Sequence, residues 1–165
     1  MAYSQTDLAT VLTAIRARLI AQSVFTSANI RIAFHRPETI PKPGPLFALV
    51  YPADGNFDQP MLDGGGKDQC NESAVFVVEI LSAVALDQSG SDEIFLTHAT
   101  RGVLQSVRLV LKALTAHMLL HPSSGNEILR HPLLPTNRQM PERDTELVGS
   151  IAVTFEALFE WDLTT

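Results

Sequence analysis

Few residue sets in this chain have the types and spacing that chemistry needs. His117 and His121 stand four apart, a spacing at which two imidazoles on one helical face can share a metal ion. A third ligand would have to come from Glu127 or His131, and no acid lies between the two histidines as the metalloprotease pattern requires. The pair is expected instead to close a helix C-terminus, where the helix dipole favours it. Gly64-Gly65-Gly66-Lys67 has the glycines and lysine of a phosphate loop. Asp68 follows where Ser or Thr is needed, Asp63 and Asp68 repel a phosphate, and a strand rather than a helix comes next. Cys70 has no neighbouring histidine, and Glu72 close by disfavours a thiolate. Ser89, Ser91, Ser123 and Ser124 lie in turn or cap settings and lack a nucleophile elbow. Glu156 and Glu160 share one strand face but sit about 13 Å apart, too far to share a proton or flank one sugar. The expectation is a protein that is not an enzyme, with no catalytic residues, no metal and no cofactor.

Composition points the same way. The 165 residues fit one domain, 1–165, and are 45% hydrophobic and 18% charged. That excludes a disordered chain or a solvated coiled coil. The richest apolar stretches, 73–86 and 103–120, are too short to span a bilayer or are broken by Arg108, Lys112 and His117, so no membrane partner is expected. Lys and Arg number 12 against 18 Asp and Glu, a formal net charge of −6, with no basic cluster to displace counterions from nucleic acid. A single cysteine forms no internal disulfide, which suits a reducing compartment or a fold with no dependence on oxidation. The first seven residues carry neither the basic nor the apolar region of an export signal.

The elements that would position any site follow from periodicity. Leu8, Val11, Leu12, Ile15 and Leu19 form a helical stripe, predicting a helix over 6–22. Ile30, Ile32 and Phe34 alternate with polar neighbours and predict a short strand that stops at Pro37. Pro41, Pro43, Gly44 and Pro45 form a stiff connection, and 46–51 is a nearly all-apolar strand. Residues 52–72 have no clear period and hold Asp54-Gly55-Asn56, Pro60 and Gly64-Gly65-Gly66. They predict a long loop or a loosely paired hairpin arm projecting from the sheet. Residues 74–86 are apolar in both alternating sets apart from Glu79, as in a central strand covered on both faces.

A short helical turn is expected over 92–97. Leu104, Val107, Leu111, Leu114 and Met118, widened by Val103, Leu109 and Val110, predict a helix over 101–119. Residues 127–130 are expected as a short strand and 131–144 as a connector. In 151–163, Ile151, Val153, Phe155, Ala157, Phe159, Trp161 and Leu163 alternate with Ala152, Thr154, Glu156, Leu158, Glu160 and Asp162, predicting a half-buried strand about 40 Å long. That length suggests that its outer part pairs with, or packs on, a neighbouring subunit. The fold class expected is α+β: one mainly antiparallel or mixed β-sheet packed by two main α-helices, with the arm at 52–72.

This order of elements resembles the tail terminator (tail completion) proteins of tailed phages and related injection machines. The likeness runs through a leading helix over 8–20, strands over 30–34 and 46–51, the arm, the strand after it, a helix over 101–119 and the alternating strand over 151–163. Phe47-Ala48-Leu49-Val50-Tyr51-Pro52 before the arm and Leu86-Asp87-Gln88 before the second helix resemble stretches of phage neck proteins. The resemblance implies a structural neck protein that assembles in the host cytoplasm and ends in the virion, at the head–tail junction. It implies a homo-oligomeric ring, a hexamer, that caps the tail tube and meets the tail tube protein and the head–tail connector or stopper protein. DNA would pass through its lumen without specific binding. Another neck component, a head-completion or stopper protein, and a small-molecule-binding α+β module or enzyme are the alternatives. The residues expected at a subunit or partner interface are Phe57, Met61 and Leu62 as anchors, Gly64, Gly65 and Gly66 as the bend, and Glu156, Glu160 and Trp161 on the last strand.

Overall fold

The structure, a computed structural model, describes residues 8–34, 46–58, 69–83, 96–97, 102–129, 131–140, 142–145 and 148–162. It is the expected α+β arrangement: one mixed sheet with two main helices on one face. The elements are α1 (Leu8–Ala21), β1 (Ile30–Ile32), β2 (Leu46–Asp58), β3 (Gln69–Ala83), α2 (Val103–Thr115), β4 (Leu134–Arg138), β5 (Glu142–Thr145) and β6 (Val148–Asp162). The sheet order is β1-β2-β3-β6-β4, with β5 also on β6. Among the described strands only β1 and β2 run parallel, Ile30 opposite Ala48; the other pairs are antiparallel.

Helix α1 buries Val11, Leu12, Ala14, Ile15 and Leu19, the stripe that the sequence spacing sets. Its end is a Schellman turn. Ser23 takes φ 55°, its amide donates to the Ile20 carbonyl at 2.9 Å, and the Val24 amide donates to the Leu19 carbonyl at 3.0 Å. Asn29 then closes a turn with Thr26 through its side chain at 2.6 Å. Its carbonyl accepts from the Ala48 amide at 2.9 Å, which starts the parallel pairing.

Helix α2 is shorter than expected and rotated. Its buried face is Val103, Ser106, Val107, Val110, Ala113 and Leu114, while Leu104 and Leu109 are each 39% exposed. The leucine spacing points one position away from this valine-rich face, because small β-branched residues fit a helix lying close on a sheet. The helix stops at Thr115, and the chain turns back through Gly125 at φ 70°, with the Ile128 amide donating to the Leu119 carbonyl at 3.1 Å. The strand expected over 127–130 is a single bridge, Leu120 to Glu127.

The main core lies between this helical layer and one sheet face. Ala74, Phe76, Val78 and Ile80 of β3 meet Ile151, Val153, Phe155, Ala157 and Phe159 of β6 under the helices. Phe76 and Phe159 pack with ring centroids 6.2 Å apart, tilted by 60°. The other face is covered too: Phe47, Leu49 and Leu81 cluster with Tyr51 and Val148. Glu79 is buried there and accepts from the Tyr51 hydroxyl at 3.1 Å. Strand β3 is thus the doubly covered central strand that its composition predicts.

Three expectations need correction. First, of the two readings of 52–72, a long loop and a loosely paired hairpin arm, the described ends are paired strands as in the arm and not loop. β2 runs on to Asp58 and β3 starts at Gln69, paired through Asp58 opposite Asn71, while 59–68 lie outside the described residues. Asp54 and Gly55 form a bulge inside β2, and pairing resumes at Asn56. Second, the connector over 131–144 carries β4 and β5, an edge broken by register shifts and by Pro135. Strands with bulges and Pro lack the alternation that reveals longer ones. Third, β6 does not need a neighbouring subunit to use its length. All fifteen of its residues pair with β3 without a register shift, from Val148 opposite Ala83 to Asp162 opposite Gln69. No helix among the described residues is long and apolar enough to cross a membrane.

Candidate interface at the edges of the sheet

The far ends of β2, β3 and β6 form a three-stranded ribbon, and its geometry is set at Gly55. A side chain there would place its Cβ 2.9 Å from the Ser73 carbonyl oxygen and 3.0 Å from Glu72 Oε1. Glycine lets β2 bulge and still lie against β3, so pairing resumes at Asn56 opposite Ser73. One strand over, the Ser73 hydroxyl donates to the Glu156 carboxylate, a diagonal contact across the β3–β6 pair. The ribbon therefore starts from a glycine bulge on one side and a side-chain tie on the other.

The expected interface residues fall on this ribbon only in part. Glu156 is half-buried on the sheet face away from the helices. The backbones of Glu160 and Trp161 lie opposite Asn71 and Cys70, and that of Phe57 opposite Glu72. Met61, Leu62, Gly64, Gly65 and Gly66 lie outside the described residues.

Two exposed apolar patches stand at opposite edges of the sheet, the first holding Ile32 and Phe34, whose alternation with polar neighbours predicts a buried face that only Ile30 occupies. At the β1 edge, Ile32 is 41% exposed and Phe34 is 92% exposed. Arg31, between Ile30 and Ile32 and therefore on the other face of β1, is exposed too, its guanidinium 5.7 Å from the centre of the Phe47 ring. At the other edge, Leu134 of β4 is 52% and Leu158 of β6 is 53% exposed. Leu134 lies directly opposite Glu156, and Leu158 follows two residues along the same face. One signal for this second patch does exist in the sequence. Leu158 is the one large apolar residue among Ala152, Thr154, Glu156, Glu160 and Asp162.

The two histidines do not close the helix as expected, since α2 ends at Thr115 before both. His117 is exposed, and His121 Nδ1 accepts from the backbone amides of Ser123 and Ser124 at 3.2 and 3.3 Å, so it caps the turn that ends at Gly125. Among the described residues no three His, Cys, Asp or Glu side chains gather as a metal ion requires. The arrangement offers exposed edges and apolar patches for protein contact. No family model and no curated protein matches this chain.

Proposed function

We propose that this chain is a structural assembly protein of a phage or phage-like neck, a ring subunit that caps the tail tube and joins the tail to the head connector. The observation that carries the reading is the β2–β3–β6 ribbon. A fifteen-residue strand such as β6 spans about 50 Å, against a diameter of about 40 Å for a compact body of this length. Its register with β3 is unbroken throughout. A small single-domain chain with strands this long, apolar side chains exposed at both sheet edges and an acidic balance is suited to holding neighbours rather than to turning over a substrate. The order of elements, helix, two strands, ribbon, helix, long last strand, supports the same reading through its likeness to tail terminators.

In this role the net charge of −6 serves the passage of DNA, since a basic lumen would hold phosphates through released counterions and slow their exit. The test is a particle image of the purified full chain together with its mass by light scattering. Closed rings, a hexamer by the family likeness, with weak DNA association that varies little with salt, are expected. A strict monomer, or tight DNA binding that falls steeply with salt, sinks the proposal.

A further inference from the structure

The two exposed edges differ in kind, and that difference says how copies of this chain meet. The β1 edge offers Ile32, Phe34 and a cation, Arg31; the β4–β6 edge offers Leu134, Leu158 and, between them, the carboxylate of Glu156. Three strands, β2, β3 and β6, lie between the two edge strands, which puts the edges about 19 Å apart at the usual strand spacing. Neither patch is self-complementary, since one is aromatic and cationic and the other aliphatic and anionic. Arg31 and Glu156 both lie on the sheet face away from the helices: Arg31 stacks on Phe47 there, and Glu156 ties to Ser73. Glu156 has a second carboxylate oxygen and further lone pairs beyond the one that Ser73 uses.

We propose that copies of this chain join head to tail, the β1 edge of one seating on the β4–β6 edge of the next. Phe34 packs between Leu134 and Leu158 of the neighbour, and Arg31 pairs with the neighbour's Glu156. A contact between two different surfaces does not close on itself at two copies; it propagates, and closes only when the rotation per copy completes a ring. The edge strands permit this meeting through side chains rather than by strand addition. β4 is interrupted by Pro135 and a bulge, and β1 is three residues long. The inference rests on the ring reading and names the two surfaces that would build the ring.

The experiment uses the full chain and sedimentation or light scattering across a concentration series. Wild type is expected to exceed two copies. Phe34→Ser, and separately Leu134→Ser with Leu158→Ser, should raise the concentration for half-assembly by about tenfold or more, as loss of a packed anchor does. Their monomers should keep their thermal stability, because these side chains are exposed. Arg31→Glu and Glu156→Arg should each assemble poorly alone, and an equimolar mixture should recover, since every contact in an alternating ring then pairs opposite charges. A wild type that stays monomeric at its highest soluble concentration overturns the ring reading and this inference together. A wild type that stops at two copies, variants that assemble as well as wild type, or a charge-reversed mixture that does not recover overturns this inference alone.

Discussion

Arg18 Nε donates a hydrogen bond of 3.2 Å to the carbonyl of Ala113. Ala113 lies in the last turn of α2, where carbonyls have no partner within the helix and the dipole favours a cation. One side chain of α1 thus caps the other helix. The pair also fixes where the two helices cross, above the sheet that both cover. Arg18→Ala should cost about 1 kcal/mol, which for a chain of this size lowers the melting temperature by about 2–4 °C. Self-association should be unchanged. Calorimetry of the variant checks this, and an unchanged melting temperature would show that water replaces the guanidinium without loss.

Ser23 offers a gain. It occupies the left-handed position of the turn after α1, at φ 55°, where a Cβ crowds the backbone and glycine is the usual occupant. The Ser23 and Val24 amides already make both hydrogen bonds of the motif. Ser23→Gly should therefore raise stability by about 0.5–1 kcal/mol, the relief of backbone strain less the greater freedom of glycine in the unfolded chain. A denaturant midpoint that falls instead would mean that the serine hydroxyl has a stabilising partner in solution.

How legible the fold is depends on how the residues repeat. The α1 stripe and the 151–159 alternation are unbroken, each side chain has one face to choose, and the buried sets match the periods. Helix α2 shows the limit of this reasoning. Leucines and valines surround most of it, so the period allows several faces, and only the fit to the sheet selects Val103, Val107 and Val110 over Leu104. β4 was hidden for another reason: its five residues are all exposed, and Pro135 and a bulge erase its period. The candidate interface was half legible. Glu156 stands out on the wet face of β6, whereas Phe34 and Leu134 become patches only when the sheet order puts their strands at its two edges.

Gly55 is where one methyl group tests the ribbon. Its added Cβ would meet the Ser73 carbonyl oxygen at 2.9 Å and the Ala74 Cα at 3.4 Å, backbone atoms that cannot swing aside as a side-chain tip can. Relief requires β2 to move off β3 at the bulge. Gly55→Ala should destabilise the chain by about 1–3 kcal/mol, in the range of overpacked sites. Hydrogen exchange should quicken at the amides of β2 beyond Ala53 before it does in α1. Equal protection along β2 in both proteins would show that the bulge has room to spare.

Removal of the chain after Phe155 separates a strand used for assembly from a strand used for folding. The length of the last strand in the sequence suggests a folded but poorly assembling product. The pairing argues otherwise. Truncation removes Glu156, the acceptor of the Ser73 hydroxyl, and strips β3 of its partner from Gln69 to Val75. It also takes Ala157 and Phe159 from the core and leaves Phe76, fully buried, without the ring 6.2 Å away. Phe159→Ala alone should cost about 3–5 kcal/mol, a large part of a total stability of about 5–15 kcal/mol. The truncated chain should thus be largely unfolded at ordinary temperature by circular dichroism. Leu158→Ser, one residue away on the exposed face, should shift monomer stability by no more than about 0.5 kcal/mol. A truncated chain with the midpoint of the full chain would mean that β6 beyond Phe155 contributes nothing to the monomer, and would return that segment to the service of a neighbour.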